Sequence, residues 1–425
     1  MLRCLDALRG AALRRSHAFE RKIQNLGRPF SSLSKSERVS VPVKGNGRVT
    51  LDIYHPQSGV PPSSGVPTIA LYLPRGPLLH DAETEILNAQ TLRSSLPWTV
   101  VQLNYRLSQA HPFPAPIHDV LAGYDWIQEH LLPKRSIARP GRSAHVGQLA
   151  VFGELVGGGL ATMLALTECR RGEAGVVASA VSNPLVDWVF PQDGEAGHAK
   201  SSVAKFGSQH PGVTAMDLLN TRAGLFRKPA DYFDPFASPI LFFRTAGTEP
   251  PLPIVPTVTD ELEQLSLLDR EDFFREQQLL SGISNTPPAA PTESSSQSIV
   301  TKRKASRMFP SKDLKLVLPS FHISTGTTSP LLDQTKELSG ALRKSVIRQH
   351  RARKPGGSFG RKVLTEEEEL EQLEPEERVA KVQEDDLAAE QVRFETVKGL
   401  GLWDGSTAGT ARLQAVAAWA RENVR

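Results

Sequence analysis

Short apolar runs rich in β-branched residues alternate along this chain with stretches of helical periodicity. That alternation is the pattern of a mostly parallel, doubly wound α/β sheet carrying helices on its faces. Strands are expected over residues 49–54, 68–73, 99–104, 148–152, 175–181, 240–245, 315–324 and 393–398, and helices over 82–95, 117–132, 158–170, 330–349 and 410–422. A length of 425 residues suits one large domain with insertions and does not require two.

Two segments interrupt the rhythm. The stretch 249–314 holds Pro250-Pro251-Leu252-Pro253 and the low-complexity run from Pro287 to Ser296, which bury too little apolar area to offset the entropy of ordering. It is expected to be largely disordered. In the charged insertion 346–392 and its approach, eight Lys/Arg and no acid lie between Arg343 and Lys362, followed by twelve acids against two bases from Glu366 to Glu390. A basic loop and an acidic helix, both solvated, account for this composition. The alternative is an arm for an anionic partner, such as RNA or a cardiolipin-rich membrane, using Arg343, Lys344, Arg348, Arg351, Arg353 and Lys354. The core then comprises 46–248, 315–345 and 393–425.

Residues 1–45 carry ten Lys/Arg against three acids, with arginines spaced among small and apolar residues ahead of Ser31-Ser32-Leu33-Ser34. This is the composition of a mitochondrial presequence, so a mitochondrial location is expected. No run approaches the roughly 20 apolar residues of a transmembrane helix. Only Cys4 and Cys169 are present, which excludes a disulfide framework and a cysteine-built metal site. There is no His-x-x-x-His pair and no Lys-Ser/Thr after Gly157-Gly158-Gly159, so neither a metal nor a nucleotide cofactor is expected.

Two motifs carry the chemistry. The first is Asn104-Tyr105-Arg106-Leu107, followed by His111-Pro112-Phe113-Pro114-Ala115 and His118-Asp119. Prolines there end a strand, and Asp119 falls near the start of the next helix, where a negative charge is favoured. The second is Leu149-Ala150-Val151-Phe152-Gly153-Glu154-Leu155-Val156-Gly157-Gly158: an apolar strand, a glycine turn and an Ala/Leu-rich helix. That is the setting of a Gly-x-Ser-x-Gly nucleophile elbow, with Gly153, Glu154, Gly157 and Gly158 as scaffold. Its central residue is Leu155, which has no nucleophilic atom.

Together these segments resemble the hormone-sensitive-lipase-like esterases of the α/β-hydrolase fold (alpha/beta hydrolase fold-3). The resemblance covers roughly 49–246, 315–343 and 399–425. It implies a catalytic Ser-acid-His triad and a His-Gly-Gly-Gly oxyanion loop, and the matching positions here are degenerate. Leu155 replaces the nucleophile, Ser329 stands at the acid's place, and Leu400 aligns with the histidine. Pro74-Arg75-Gly76-Pro77 replaces the oxyanion loop, and Pro77 has no N–H to donate. A relocated Glu154–His118 pair is one conceivable substitute. The expected function is therefore a catalytically inactive esterase homologue that binds a partner or a small apolar ligand. The alternatives are a carboxylester or lipid hydrolase with relocated catalytic groups, and a structural subunit of a mitochondrial assembly.

Overall fold

The structure, a computed structural model, describes residues 36–45, 47–56, 66–79, 81–132, 147–190, 213–248, 304–353 and 375–424. Its sheet has eight strands: β1 (Ser36–Pro42), β2 (Arg48–Tyr54), β3 (Thr68–Leu73), β4 (Thr99–Asn104), β5 (Gln148–Glu154), β6 (Gly175–Ser182), β7 (Ser320–Gly326) and β8 (Val392–Val397). Their order is β1-β2-β4-β3-β5-β6-β7-β8. The β2–β4 pair is antiparallel, and every neighbour from β4 through β8 is parallel. The loops that leave β3 to β8 therefore all gather at one edge, where ligands bind in open α/β sheets.

Helices α1 (Ala82–Ser95), α2 (Ala115–His130), α3 (Leu155–Thr167), α4 (Ala215–Leu225), α5 (Leu332–Arg353), α6 (Pro375–Gln391) and α7 (Thr407–Asn423) complete the order. The alternation of side chains along each strand sorts them onto two faces. Ala70, Tyr72, Ala150, Phe152 and Ala180 meet Leu92 of α1 and Leu413 and Trp419 of α7. Leu71, Leu103, Val151, Val181 and Phe321 meet the apolar stripes of α2, α3 and α5. Helix α3 is buried on all sides from Leu155 to Leu166, as its almost uninterrupted apolar sequence requires.

Several elements differ from the sequence expectation. Strand β1 begins at Ser36, inside the stretch read as a basic tail; the pattern Ser36-Glu-Arg-Val-Ser-Val-Pro is an outer strand with only Val41 fully buried. Residues 240–245 are not a strand: Pro239 opens a 3-10 turn over Pro239–Phe242, and Arg244 makes a single bridge to Ser306. That bridge, with Phe309 in the core, places 304–314 in the folded domain; most of the segment read as disordered, 249–303, lies outside the described residues. Helix α3 starts three residues before the expected position 158, so Gly157, Gly158 and Gly159 lie inside it.

The charged excursion is also reorganised. Residues 343–353 belong to α5 and not to a loop, and Arg351 reaches Glu384 of α6 at 2.7 Å. Arg343 donates from Nε and Nη2 to the Val392 carbonyl, both at 3.1 Å. Lys344 is exposed, Arg348 is half-buried, and the Arg353 side chain and Lys354 lie outside the described residues. Among the described residues no helix is long and apolar enough to cross a membrane.

Candidate active site

Strand β5 passes into α3 without a connecting loop. The reversal is made at Leu155, whose φ is +52°, after Glu154 at φ −129°. A left-handed conformation costs a non-glycine residue roughly 1–2 kcal/mol, so the turn persists because its surroundings impose it. Those surroundings are backbone. A Cβ on Gly157 would stand 2.1 Å from the Pro74 carbonyl oxygen, and one on Gly153 2.4 Å from that of Gly157. Gly158 packs on Pro184, where a Cβ would approach Cα to 3.0 Å. Gly157→Ala should therefore lower stability by about 1–3 kcal/mol through forced backbone displacement, although alanine is the better helix former. Thermal unfolding of the variant measures this, and an unchanged or raised midpoint would refute the close-packing explanation.

Leu155 is 1 % exposed, and its carbonyl accepts from Leu185 N–H at 3.0 Å. Two residues earlier, Asn183 (φ +45°) joins the ends of three strands. Its N–H donates to the Ser324 carbonyl (2.8 Å), its Oδ1 accepts from the Thr325 hydroxyl (3.0 Å), and its Nδ2 donates to the Leu400 carbonyl (2.9 Å). The turn holding Ser329 and the loop holding Leu400 touch directly: Thr327 N–H donates to Val397 (2.8 Å) and Thr328 N–H to Gly399 (3.1 Å). Ser329 is buried, and its hydroxyl oxygen accepts from Leu331 N–H at 3.2 Å at the start of α5. The Ser329 and Leu400 segments are thus bonded to each other, and both connect to Leu155 through 183–185.

The 74–77 stretch offers few donors. Pro74 and Pro77 have no N–H, and Arg75 N–H donates to Glu85 Oε1 at 3.3 Å. The Arg75 side chain turns inward and is 3 % exposed. Its Nε donates to Glu154 Oε2 at 2.5 Å and lies 3.8 Å from Glu85 Oε1, while Nη2 donates to the Trp403 carbonyl. Trp403 N–H closes the ring on Glu154 Oε1 at 2.6 Å. Tyr72 hydroxyl donates to Glu85 Oε2 at 2.5 Å, and Asn88 Nδ2 donates to the Trp403 carbonyl at 3.0 Å. Burial pushes the Glu154 carboxyl up to about 7 against the opposing pull of Arg75 and Trp403 N–H. The same charges act on Arg75: burial lowers its guanidinium, and Glu154 more than offsets this to leave it above its ordinary value.

The Glu154–His118 pair does not form. Glu154 is committed to Arg75 and Trp403, and His118 is exposed on α2. Asp119 has a different role from the helix-start charge that its position suggests. Helix α2 begins at Ala115, so Asp119 lies beyond the first turn; it is fully buried and accepts from Arg106 backbone N–H (2.8 Å), Nε (2.9 Å) and Nη2 (2.5 Å). The Tyr-Arg-Leu and Asp motifs are two halves of one ion pair. The sequence marks Asn183 only as part of the loop after the strand that follows the elbow, not as the residue that joins three strand ends, and it gives no sign of Glu85 or of the inward turn of Arg75. Among the described residues no group of three His, Cys, Asp or Glu side chains could hold a metal ion.

Comparison with known proteins agrees with this geometry. Residues 78–266 match the family described as alpha/beta hydrolase fold. Esterase LipI of Mycobacterium tuberculosis is 27% identical over 142 residues, covering 33% of this chain and 42% of LipI. The carboxylic ester hydrolase LipN of the same organism is 25% identical over 207 residues, covering 48% of this chain and 51% of LipN. The chain therefore spans about half, or less, of the length of these relatives. A hyperthermophilic esterase from the archaeon Pyrobaculum calidifontis shares the fold at TM-score 0.51 and 17% identity, over 92% of this chain and 86% of that one. With the mostly parallel sheet, a left-handed elbow between β5 and α3 and the family match across 78–266, the chain has the α/β-hydrolase fold.

Proposed function

We propose that this chain is a hydrolase-fold protein that binds and does not cleave, holding a small apolar ligand or a partner at the former active-site edge, and that it does so in mitochondria. The observation that carries this reading is Leu155, a residue without a nucleophilic atom, at the one left-handed position of the elbow. The N–H arrangement of the 74–77 stretch supports it, because an oxyanion needs preorganised donors and two of the four residues there are prolines. The apolar cluster that includes Leu155, Val156 and Leu185, with Leu400 packed against it, favours ligand burial over chemistry.

The test pairs binding with turnover. A medium-chain 4-nitrophenyl ester and its non-hydrolysable ketone analogue are offered to the same purified chain. Saturable binding of the ketone with no ester turnover above buffer is expected; turnover would favour the second reading. That second reading, ester hydrolysis by relocated groups, is favoured by relatives that carry the names esterase and carboxylic ester hydrolase. The mitochondrial part rests on the basic, serine-containing start. A reporter fused to residues 1–40 should enter mitochondria, and retention in the cytosol would remove that part of the proposal.

A further inference from the structure

Arg222, near the end of α4, is a buried arginine that no acid meets among the described residues. It is 5 % exposed, and its Nη1 donates to the carbonyls of Trp188 (3.1 Å) and Phe190 (2.7 Å). Its guanidinium carbon stands 4.4 Å from the centroid of the Phe190 ring and 5.0 Å from that of Tyr232. Phe226 completes the enclosure, with ring centroids 5.3 Å from Trp188 and 5.7 Å from Tyr232. Arg75, Arg106 and Arg244 are each met by at least one carboxylate. Arg222 departs from that rule: burial holds its guanidinium below the ordinary arginine range, Tyr232 pulls the other way, and among the described residues no carboxylate offsets the burial.

Two carbonyls and two ring faces compensate a buried cation only in part. Nη1 is committed to the carbonyls, which leaves Nε and Nη2, the side-on fork that matches the two oxygens of a carboxylate. The Phe190 and Tyr232 rings that flank the guanidinium, and Phe226 beside Tyr232, are only partly buried, so aromatic carbon with some exposure stands next to it. The same rings pack against the apolar cluster that contains Leu155. A ligand suited to both features has one carboxylate and an alkyl chain.

We propose that Arg222 is the carboxylate-recognising group of a ligand site, with the head of a fatty-acid-like monocarboxylate on Nε and Nη2 and its chain against Phe190, Phe226 and Tyr232. This rests on the reading that the chain binds and does not cleave, and it names the ligand class.

The experiment titrates the full chain with dodecanoate, dodecanol and dodecyl phosphate below their micelle concentrations, read by tryptophan fluorescence and calorimetry. Wild type should bind dodecanoate about 10- to 100-fold more tightly than dodecanol, the range of charge-assisted hydrogen bonds to a buried partner. Arg222→Gln keeps donors for the Trp188 and Phe190 carbonyls but removes the charge. It should abolish that preference and leave dodecanol binding unchanged. Equal binding of acid and alcohol by wild type would overturn the role of Arg222 while leaving the binding reading intact, and binding of neither would overturn both. Tighter binding of dodecyl phosphate than of dodecanoate would overturn the carboxylate assignment. Where Arg222→Gln lacks the near-ultraviolet circular dichroism of the folded chain, the acid-to-alcohol ratio of wild type decides by itself.

Discussion

Arg75→Met is expected to lower the stability of the folded chain by about 3–5 kcal/mol at pH 8, the cost of removing one partner of a buried ion pair. Methionine fills similar volume, but Glu154, with no exposed surface, and Glu85 would face each other without the guanidinium between them. Adding Glu154→Gln should recover much of that loss, since it removes one of the two stranded charges. Urea unfolding of the two single variants and the double variant gives the coupling directly. A loss below about 1 kcal/mol for Arg75→Met would mean that the network contributes little beyond packing.

The sign of the pH dependence follows from Glu154. Its carboxyl in the folded chain lies at about 7, above the ordinary value of 4.5, so the proton is held more tightly folded than unfolded. Its contribution is therefore fully present below pH 4.5 and is lost as pH rises through about 7. Wild type should lose stability relative to Glu154→Gln over that window and then run parallel to it. An opposite slope would mean that Arg75 and Trp403 N–H hold Glu154 ionised against burial.

Leu155→Ser is expected to remain inert toward activated esters. Removing the nucleophile or the histidine of a serine hydrolase costs on the order of 10⁶ in turnover, and the members of a triad act as a unit. A serine at 155 would have no imidazole at 400 to take its proton. Leu155→Ser with Ser329→Asp and Leu400→His supplies all three groups on segments already bonded to one another through Asn183, Thr327 and Thr328. Serine-dependent turnover is expected only in this triple variant. It should stay about 10²–10³ below a working esterase, because each missing oxyanion donor costs that much. Activity in Leu155→Ser alone would show that a base already stands beside position 155.

The sheet was largely legible because β2 to β6 and β8 are short apolar runs whose period stands out against Gly- and Pro-rich loops. Residues 240–245 are equally apolar and fit a strand by composition; Pro239 at the start of that run is the signal that no ladder forms. Helix α4 escaped notice although Thr214 and Asp217 form a capping box that was readable at its start. The elbow was legible because an apolar strand, a glycine turn and an Ala/Leu-rich helix follow one another directly in sequence, although Gly157 and Gly158 answer to Pro74 and Pro184 far along the chain. The Arg75 network was not, since its partners lie 79 and 328 residues away in sequence and polar pairing over such distances leaves no periodic trace. The extension of α5 was hidden by its own charge, since the acids that meet it belong to α6.

The most direct test of the proposal that the elbow does not hydrolyse is intact-protein mass spectrometry after incubation with a fluorophosphonate, which forms a covalent adduct with any activated serine. The wild-type chain is expected to keep its unmodified mass, with the triple variant as the positive control at position 155. A stoichiometric adduct on the wild type, mapped to any serine, would contradict the loss of the nucleophile.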